Sequence, residues 1–322
     1  MKICALAAAA LAVATASSAE PVQTVEVAAG TQPLAPSADA ETIATLDDRH
    51  DRMTVPVTIE GQGPFRFMID TGAQATVVTR DLKDRLELPH AGRATVVGMA
   101  SRVPVDLVRL NGLEFAARVI DNLAVPMLET RNVGADGILG LDSLQDMRVM
   151  IDFREDTIAV DTARALGGNS GYEIVVRARN KLGRLIITEA TIDGVRTAII
   201  VDTGAQGSIG NLALMRRLRA REREEGSTTD VNGKLLSGSV DFARNLKIKD
   251  MHLSNLSILF ADSPAFVMLG LADKPALVLG MRELRVFDRV AIDFESRTVL
   301  FDMPSSAGYR RRYNLNNQAT RL

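Results

Sequence analysis

Asp70 and Asp202 each open the same five-residue run, Asp70-Thr71-Gly72-Ala73-Gln74 and Asp202-Thr203-Gly204-Ala205-Gln206. One such run is a small polar turn of the kind that ends strands in many proteins. Two copies imply more, because a two-fold pairing of the segments that carry them brings both aspartates to one place. Carboxyls held that close cannot both ionise, so one keeps its proton while the other stays charged. The charged member draws a proton from a water held between them, and the protonated member polarises a carbonyl. Together they cleave an amide without a metal or a covalent intermediate. Gly72 and Gly204 let backbone approach closely, leaving amide donors near the carboxylates, and the Thr71 and Thr203 hydroxyls are suited to cross-linking the loops.

Such chemistry needs elements that hold two loops face to face, and the chain repeats those elements. The identical runs lie 132 residues apart, each behind an apolar stretch ending in Met68-Ile69 or Ile200-Val201. Downstream, Ile138-Leu139-Gly140 followed by Met150-Ile151-Asp152-Phe153 returns as Val278-Leu279-Gly280 followed by Ala291-Ile292-Asp293-Phe294, at a spacing of 140 for the glycines. Two motif pairs in the same order mark an internal duplication. Val55, Val57 and Ile59 alternate with polar residues, Gly61-Gln62-Gly63-Pro64 reads as a turn, and Phe65, Phe67 and Ile69 alternate again into Asp70. In the second copy Asp193-Gly194 is a two-residue hairpin signal between Ile187–Ile192 and Val195–Val201. Short helices are expected after each loop, capped near Thr79 and Asn211, and the charged run Arg216 to Glu225 reads as a solvated helix end or loop.

The 322 residues favour two lobes or one large all-β unit, with a net charge of -2 that gives no hint of nucleic acid. Lys2, the mostly apolar stretch Ile3 to Ala16 and Ser17-Ser18-Ala19 read as a secretory leader, 1–19, cleaved after Ala19. Cys4, the only cysteine, lies inside it, so the mature chain would have no disulfide. Residues 20–48, rich in Ala, Pro, Thr and Ser, read as a linker without structure, and no later stretch reaches the length of a membrane span. His50, His90 and His252 show no metal-ligand spacing, and no serine-nucleophile elbow, phosphate loop or dinucleotide fingerprint is present. Neither cofactor nor metal is expected. Arg310-Arg311-Arg312 reads as part of a flexible tail, 306–322.

The two Asp-Thr-Gly loops, Asp136-Gly137-Ile138-Leu139-Gly140-Leu141 and Leu277-Val278-Leu279-Gly280 give the chain a resemblance to the pepsin and retropepsin superfamily of aspartic proteases, over roughly residues 50 to 305. The resemblance implies a mainly β, bilobal fold of two pseudo-two-fold-related, barrel-like lobes, 49–165 and 166–305. It implies that Asp70 and Asp202 are catalytic, that Thr71 and Thr203 grip one another, and that Ile138–Gly140 and Val278–Gly280 pass behind the loops and support them. Ala73 and Ala205 follow the retropepsin pattern, where pepsin-like enzymes carry a hydroxyl that bonds a carboxylate; its loss implies a less acidic optimum than pepsin's. Family members cover the substrate with a flap hairpin. Thr95 to Val103, with Gly98 and Met99 at its tip, and Asp230 to Leu235, with the turn at Asn232-Gly233, are the candidates, neither holding the tyrosine common in pepsin-like flaps.

The expectation is thus an exported, most simply periplasmic, endopeptidase that pairs its lobes within one chain and takes extended protein or peptide substrates. A peptide-binding or scaffolding protein that kept the fold and lost turnover is the rival, and pairing of each copy with a second chain is an alternative assembly.

Overall fold

The computed structural model describes residues 25–26, 42–44, 53–116, 118–219 and 224–304. The expected leader, His50, the arginine-rich tail and most of the expected linker lie outside them. Within the linker segment, Val25–Glu26 and Thr42–Ala44 form short edge strands, the second in the alternating stretch Glu41-Thr42-Ile43-Ala44.

The fold is mainly β and two-lobed. In the first lobe nine strands run in the order His90–Val97, Arg102–Leu110, Leu123–Leu128, Val77–Thr79, Gly137–Leu139, Gln62–Ile69, Thr54–Ile59, Leu113–Phe115 and Arg118–Ile120. The second lobe repeats the centre of this order with Met251–Phe260, Ser208–Gly210, Ala276–Leu279, Val195–Val201 and Arg184–Ile192. There Leu235–Ile248 pairs with both Arg184–Ile192 and Met251–Phe260, so the sheet closes on itself.

Each strand that leads into an Asp-Thr-Gly loop grows out of a hairpin. Alternation puts Val55, Val57, Ile59, Phe65, Phe67 and Ile69 into the core. The turn of the first hairpin differs from expectation. Glu60 and Gly61, both with positive φ, make it, and Gln62 to Pro64 already belong to the returning strand. Two left-handed residues match the right-handed twist of the flanking strands, and this requirement outweighs the pull of the later glycine and proline. Asp193 and Gly194 take the same conformation in the second copy.

A third sheet joins the lobes, in the order Ile174–Arg177, Thr298–Asp302, Arg289–Asp293, Arg148–Asp152, Thr157–Asp161 and Thr42–Ala44. The downstream repeat motifs meet here, antiparallel, with Met150 opposite Ala291 and Ile151 opposite Val290. Val149, Ile151, Val290 and Ile292 are buried in one apolar cluster that extends into both lobes. The helices are short. Thr79 and Asn211 cap Arg80–Arg85 and Leu212–Leu218 by accepting from the backbone N–H three residues on, as their positions before the helices suggest. The second helix ends at Leu218, where Arg219 turns left-handed, so of the charged run Arg216 and Arg217 form its last turn, while Glu224 and Glu225 open the strand Glu224–Thr229. No helix among the described residues is long and apolar enough to cross a membrane.

Candidate active site

Asp70 and Asp202 stand at the ends of Gln62–Ile69 and Val195–Val201, and the fold brings them together. The backbone N–H of Asp70 donates to Leu139 O at 3.1 Å, and that of Asp202 to Leu279 O at 3.1 Å. Each supporting strand, Gly137–Leu139 or Ala276–Leu279, runs parallel to the strand that delivers the aspartate and antiparallel to the strand that leaves the loop. Gly140 and Gly280 are where this support turns under the loop. A Cβ at Gly140 would lie 2.3 Å from the Ala75 carbonyl carbon, and one at Gly280 would lie 2.6 Å from Gly207 O. No side chain fits either gap.

Inside each loop the aspartate is held by its own backbone. Asp70 Oδ1 accepts from Gly72 N–H at 2.7 Å and Ala73 N–H at 3.0 Å, and Asp202 Oδ1 accepts from Gly204 N–H at 2.9 Å and Ala205 N–H at 3.2 Å. Across the interface the threonines interlock. Thr71 Oγ1 donates to Val201 O at 2.9 Å and accepts from Thr203 N–H at 3.2 Å; Thr203 Oγ1 donates to Ile69 O at 2.6 Å and accepts from Thr71 N–H at 3.1 Å. Four buried bonds thus tie the loops together, two between the threonines themselves and two to the residues preceding the opposite aspartates. A Cβ on Gly72 would sit 2.3 Å from Asp202 Oδ2, and one on Gly204 would sit 2.4 Å from Asp70 Cγ. Glycine therefore does more than permit a turn: it vacates the space the opposite carboxyl occupies.

Electrostatics follow from that closeness. Burial, reinforced by the charge of Asp70, pushes the Asp202 carboxyl from 3.8 up to about 7, while the Arg184 guanidinium pulls it down. The pair therefore holds one proton into neutral pH, and Asp202 is a hydrogen-bond partner of Asp70.

Gly98, Met99 and Gly233 sit at the tips of two hairpins, His90–Val97 with Arg102–Leu110 and Glu224–Thr229 with Leu235–Ile248. The tips meet. Asp230 Oδ2 accepts from Ala100 N–H at 3.1 Å and Ser101 Oγ at 2.7 Å, and Asn232 Nδ2 donates to Ser101 Oγ at 2.9 Å. Packing is exchanged as well. Met99 lies against an apolar cluster of the second lobe that Ala205 also touches, and Val231 against a cluster of the first lobe that Ala73 also touches. Each tip thus rests on the opposite lobe beside the Asp-Thr-Gly loop there.

Two residues near the dyad escaped the sequence reading. Arg184, 8% exposed, begins the strand Arg184–Ile192 and acts electrostatically on both aspartates. The available signal was the duplication itself, because at the offset relating Asp202 to Asp70 its counterpart is Arg52, outside the described residues. Glu283, fully buried behind the second loop, accepts from Ser208 Oγ at 2.7 Å, and Ser208 Oγ in turn accepts from Gly280 N–H at 3.3 Å. The first lobe builds the same support from Thr76, Asp142 and Ser143.

No curated protein sequence matches the chain. A family model described as "Aspartyl protease" matches residues 55–143 and 188–282, more than half of the chain and one region in each repeat. Two matched regions, each carrying an Asp-Thr-Gly loop and its supporting strand, place this chain in the aspartyl protease family.

Proposed function

We propose that the chain is an aspartic endopeptidase in which Asp70 and Asp202 share one proton and one water and cleave peptide bonds of exported proteins. The observation that carries this reading is the mutual fit of the loops: each carboxyl rests on two amides of its own loop and fills the space left by the other loop's glycine. In that geometry the ionised carboxylate takes a proton from the attacking water while the protonated one hydrogen-bonds the scissile carbonyl oxygen. Collapse of the tetrahedral intermediate returns a proton to the leaving amine. The paired hairpin tips close over an extended substrate and exclude water from the reaction. Both lobes come from one chain, so the working unit is a monomer, and the leader-like first nineteen residues support export.

Cleavage of a mixed peptide library by wild type, Asp70→Asn and Asp202→Asn, across about pH 4 to 8, tests the reading. Each variant is expected to lose on the order of a hundredfold to ten-thousandfold in rate, the range of general acid–base contributions. Wild-type activity should decline as pH rises through about 7, where the dyad loses its shared proton. Wild type that binds peptides and cleaves none would instead identify a binding protein built on the same fold.

A further inference from the structure

Arg184 presents an unsolved charge. The residue is 8% exposed and its Nη1 is buried without a hydrogen-bond partner, and no carboxylate among the described residues forms a direct ion pair with the guanidinium. Leaving a buried donor without an acceptor is costly, and such a group in a native structure points to a functional role or to a water, ion or ligand that completes it.

The hairpin that carries Arg184 is built to sit over the first catalytic loop. Leu182 and Gly183, both with positive φ, make a tight turn closed by Gly183 N–H donating to Asn180 Oδ1 at 3.1 Å. Gln74, in the first catalytic run, donates from Nε2 to Leu182 O at 3.1 Å, and a Cβ on Gly183 would lie 3.1 Å from Leu141 Cδ1. Arg184, in the second repeat, is therefore anchored against the first lobe's loop, and its charge is felt by both Asp202 and Asp70. Directly across the ladder stands Lys181. Like charges opposite one another destabilise a β pair, and no carboxylate among the described residues pairs directly with either of them; Asp202 and Asp70 act on Arg184 only through space. A cation pair beside the two Asp-Thr-Gly loops, with a buried guanidinium nitrogen that lacks an acceptor, is suited to taking an anion.

We propose that Arg184 is a specificity-determining residue whose guanidinium takes a substrate carboxylate, so that the cleft selects peptides with Asp or Glu close to the scissile bond. This rests on the endopeptidase reading. The planar fork of a guanidinium binds a carboxylate through two parallel N–H donors, and a buried charge-assisted pair discriminates strongly against the neutral amide. Lys181, exposed on the neighbouring strand, adds attraction at the entrance. An acidic side chain seated here also lies near a dyad that carries one negative charge, and Arg184 offsets that repulsion.

The experiment uses the full chain, as wild type, Arg184→Gln and Arg184→Lys. Matched peptides carry Glu, Gln, Lys or Ala at one position at a time on either side of a common cleavage site. Wild type is expected to favour Glu over Gln at one defined position by on the order of a hundredfold in kcat/KM. That ratio should collapse towards one in Arg184→Gln and survive in part in Arg184→Lys. If no position favours an acidic residue, or if Arg184→Gln slows every peptide alike and only moves the alkaline limb of the pH profile, Arg184 acts on the dyad alone and the proposal fails. Should wild type cleave nothing, the endopeptidase reading fails separately, and fluorescence anisotropy of the labelled Glu and Gln peptides decides this one. Tighter wild-type binding of the Glu peptide that is lost in Arg184→Gln sustains carboxylate recognition; equal binding, or none, overturns it.

Discussion

Burial keeps the Asp202 and Glu283 carboxyls protonated towards neutral pH, and they differ in what surrounds them. Asp202 faces a second carboxyl and is reinforced by its charge. Glu283 accepts from the Ser208 hydroxyl but leaves Oε1 without a partner, and burial outweighs the hydrogen bonds and the nearby Arg282 charge, raising it from 4.5 to about 7. The sign of the consequence is fixed. Between pH 4.5 and about 7 the unfolded chain releases a proton that the folded state retains, so stability is fully present below that window and is lost as pH rises through it. At about 1.4 kcal/mol per pKa unit the loss is on the order of 3 kcal/mol. Glu283→Gln is accordingly expected to match wild type near pH 4 and to unfold at higher urea near pH 8. Equal midpoints at both pH values would mean that the Glu283 carboxyl ionises without penalty.

At the scale of elements, the two hairpins are joined at their tips chiefly by one side chain. Asp230 holds its own turn through Oδ1, which accepts from Asn232 and Lys234 N–H at 3.0 and 2.9 Å, while Oδ2 reaches across to Ala100 and Ser101. Gly98 is needed on the facing tip, since a Cβ there would fall 2.4 Å from Asp230 Oδ2. Hydrogen bonds to a charged acceptor stabilise by roughly 1.5–3 kcal/mol, so Asp230→Ala should raise amide exchange at residues 98–101 by about tenfold or more while leaving the lobe cores protected. Unchanged exchange at those amides would assign the closed state to the packing of Met99 and Val231 instead. The tight turns at Glu60-Gly61 and Asp193-Gly194 belong to the same scale, because they set the register that delivers each aspartate to the end of its strand.

The molecule as a whole is held by the sheet that joins the lobes. Arg148 reaches from the first-lobe side of that sheet to Asp293 on the second, Nη2 to Oδ2 at 2.6 Å, with the two side chains 2% and 1% exposed. Its other donors go to Asn169 Oδ1 at 2.8 Å and to Gly168 O. Removing one member of such a pair strands the other in the interior, so Arg148→Ala should destabilise the protein by about 3–5 kcal/mol in chemical unfolding. A joint Arg148→Met and Asp293→Leu replacement should recover most of that loss; failure to recover it would show that the ion pair itself, rather than its desolvation, carries the junction. Pseudo-symmetry is broken here. Arg289 stands opposite Asp152 in register but pairs with Asp302 at 2.5 Å, leaving Asp152 to Arg154.

Local pattern and repetition made much of this legible without coordinates. Alternating Val, Ile and Phe residues determined the strands that end at Asp70 and Asp202, Thr79 and Asn211 marked the helix starts, and the duplicated Asp-Thr-Gly and apolar-apolar-Gly runs determined two units of one fold. These features depend on a few adjacent residues whose conformation follows from sterics and side-chain period. The first turn was misplaced by a few residues because glycine and proline density competes with the left-handed pair that closes the hairpin. Only tertiary structure decided the Thr71–Thr203 bonds, the seat of Asp230 between the tips, the buried Glu283 and the place of Arg184 beside the dyad. Each depends on contacts between segments tens to more than a hundred residues apart. A charged side chain is ordinarily solvated, so nothing in its local sequence distinguishes the one that the fold buries.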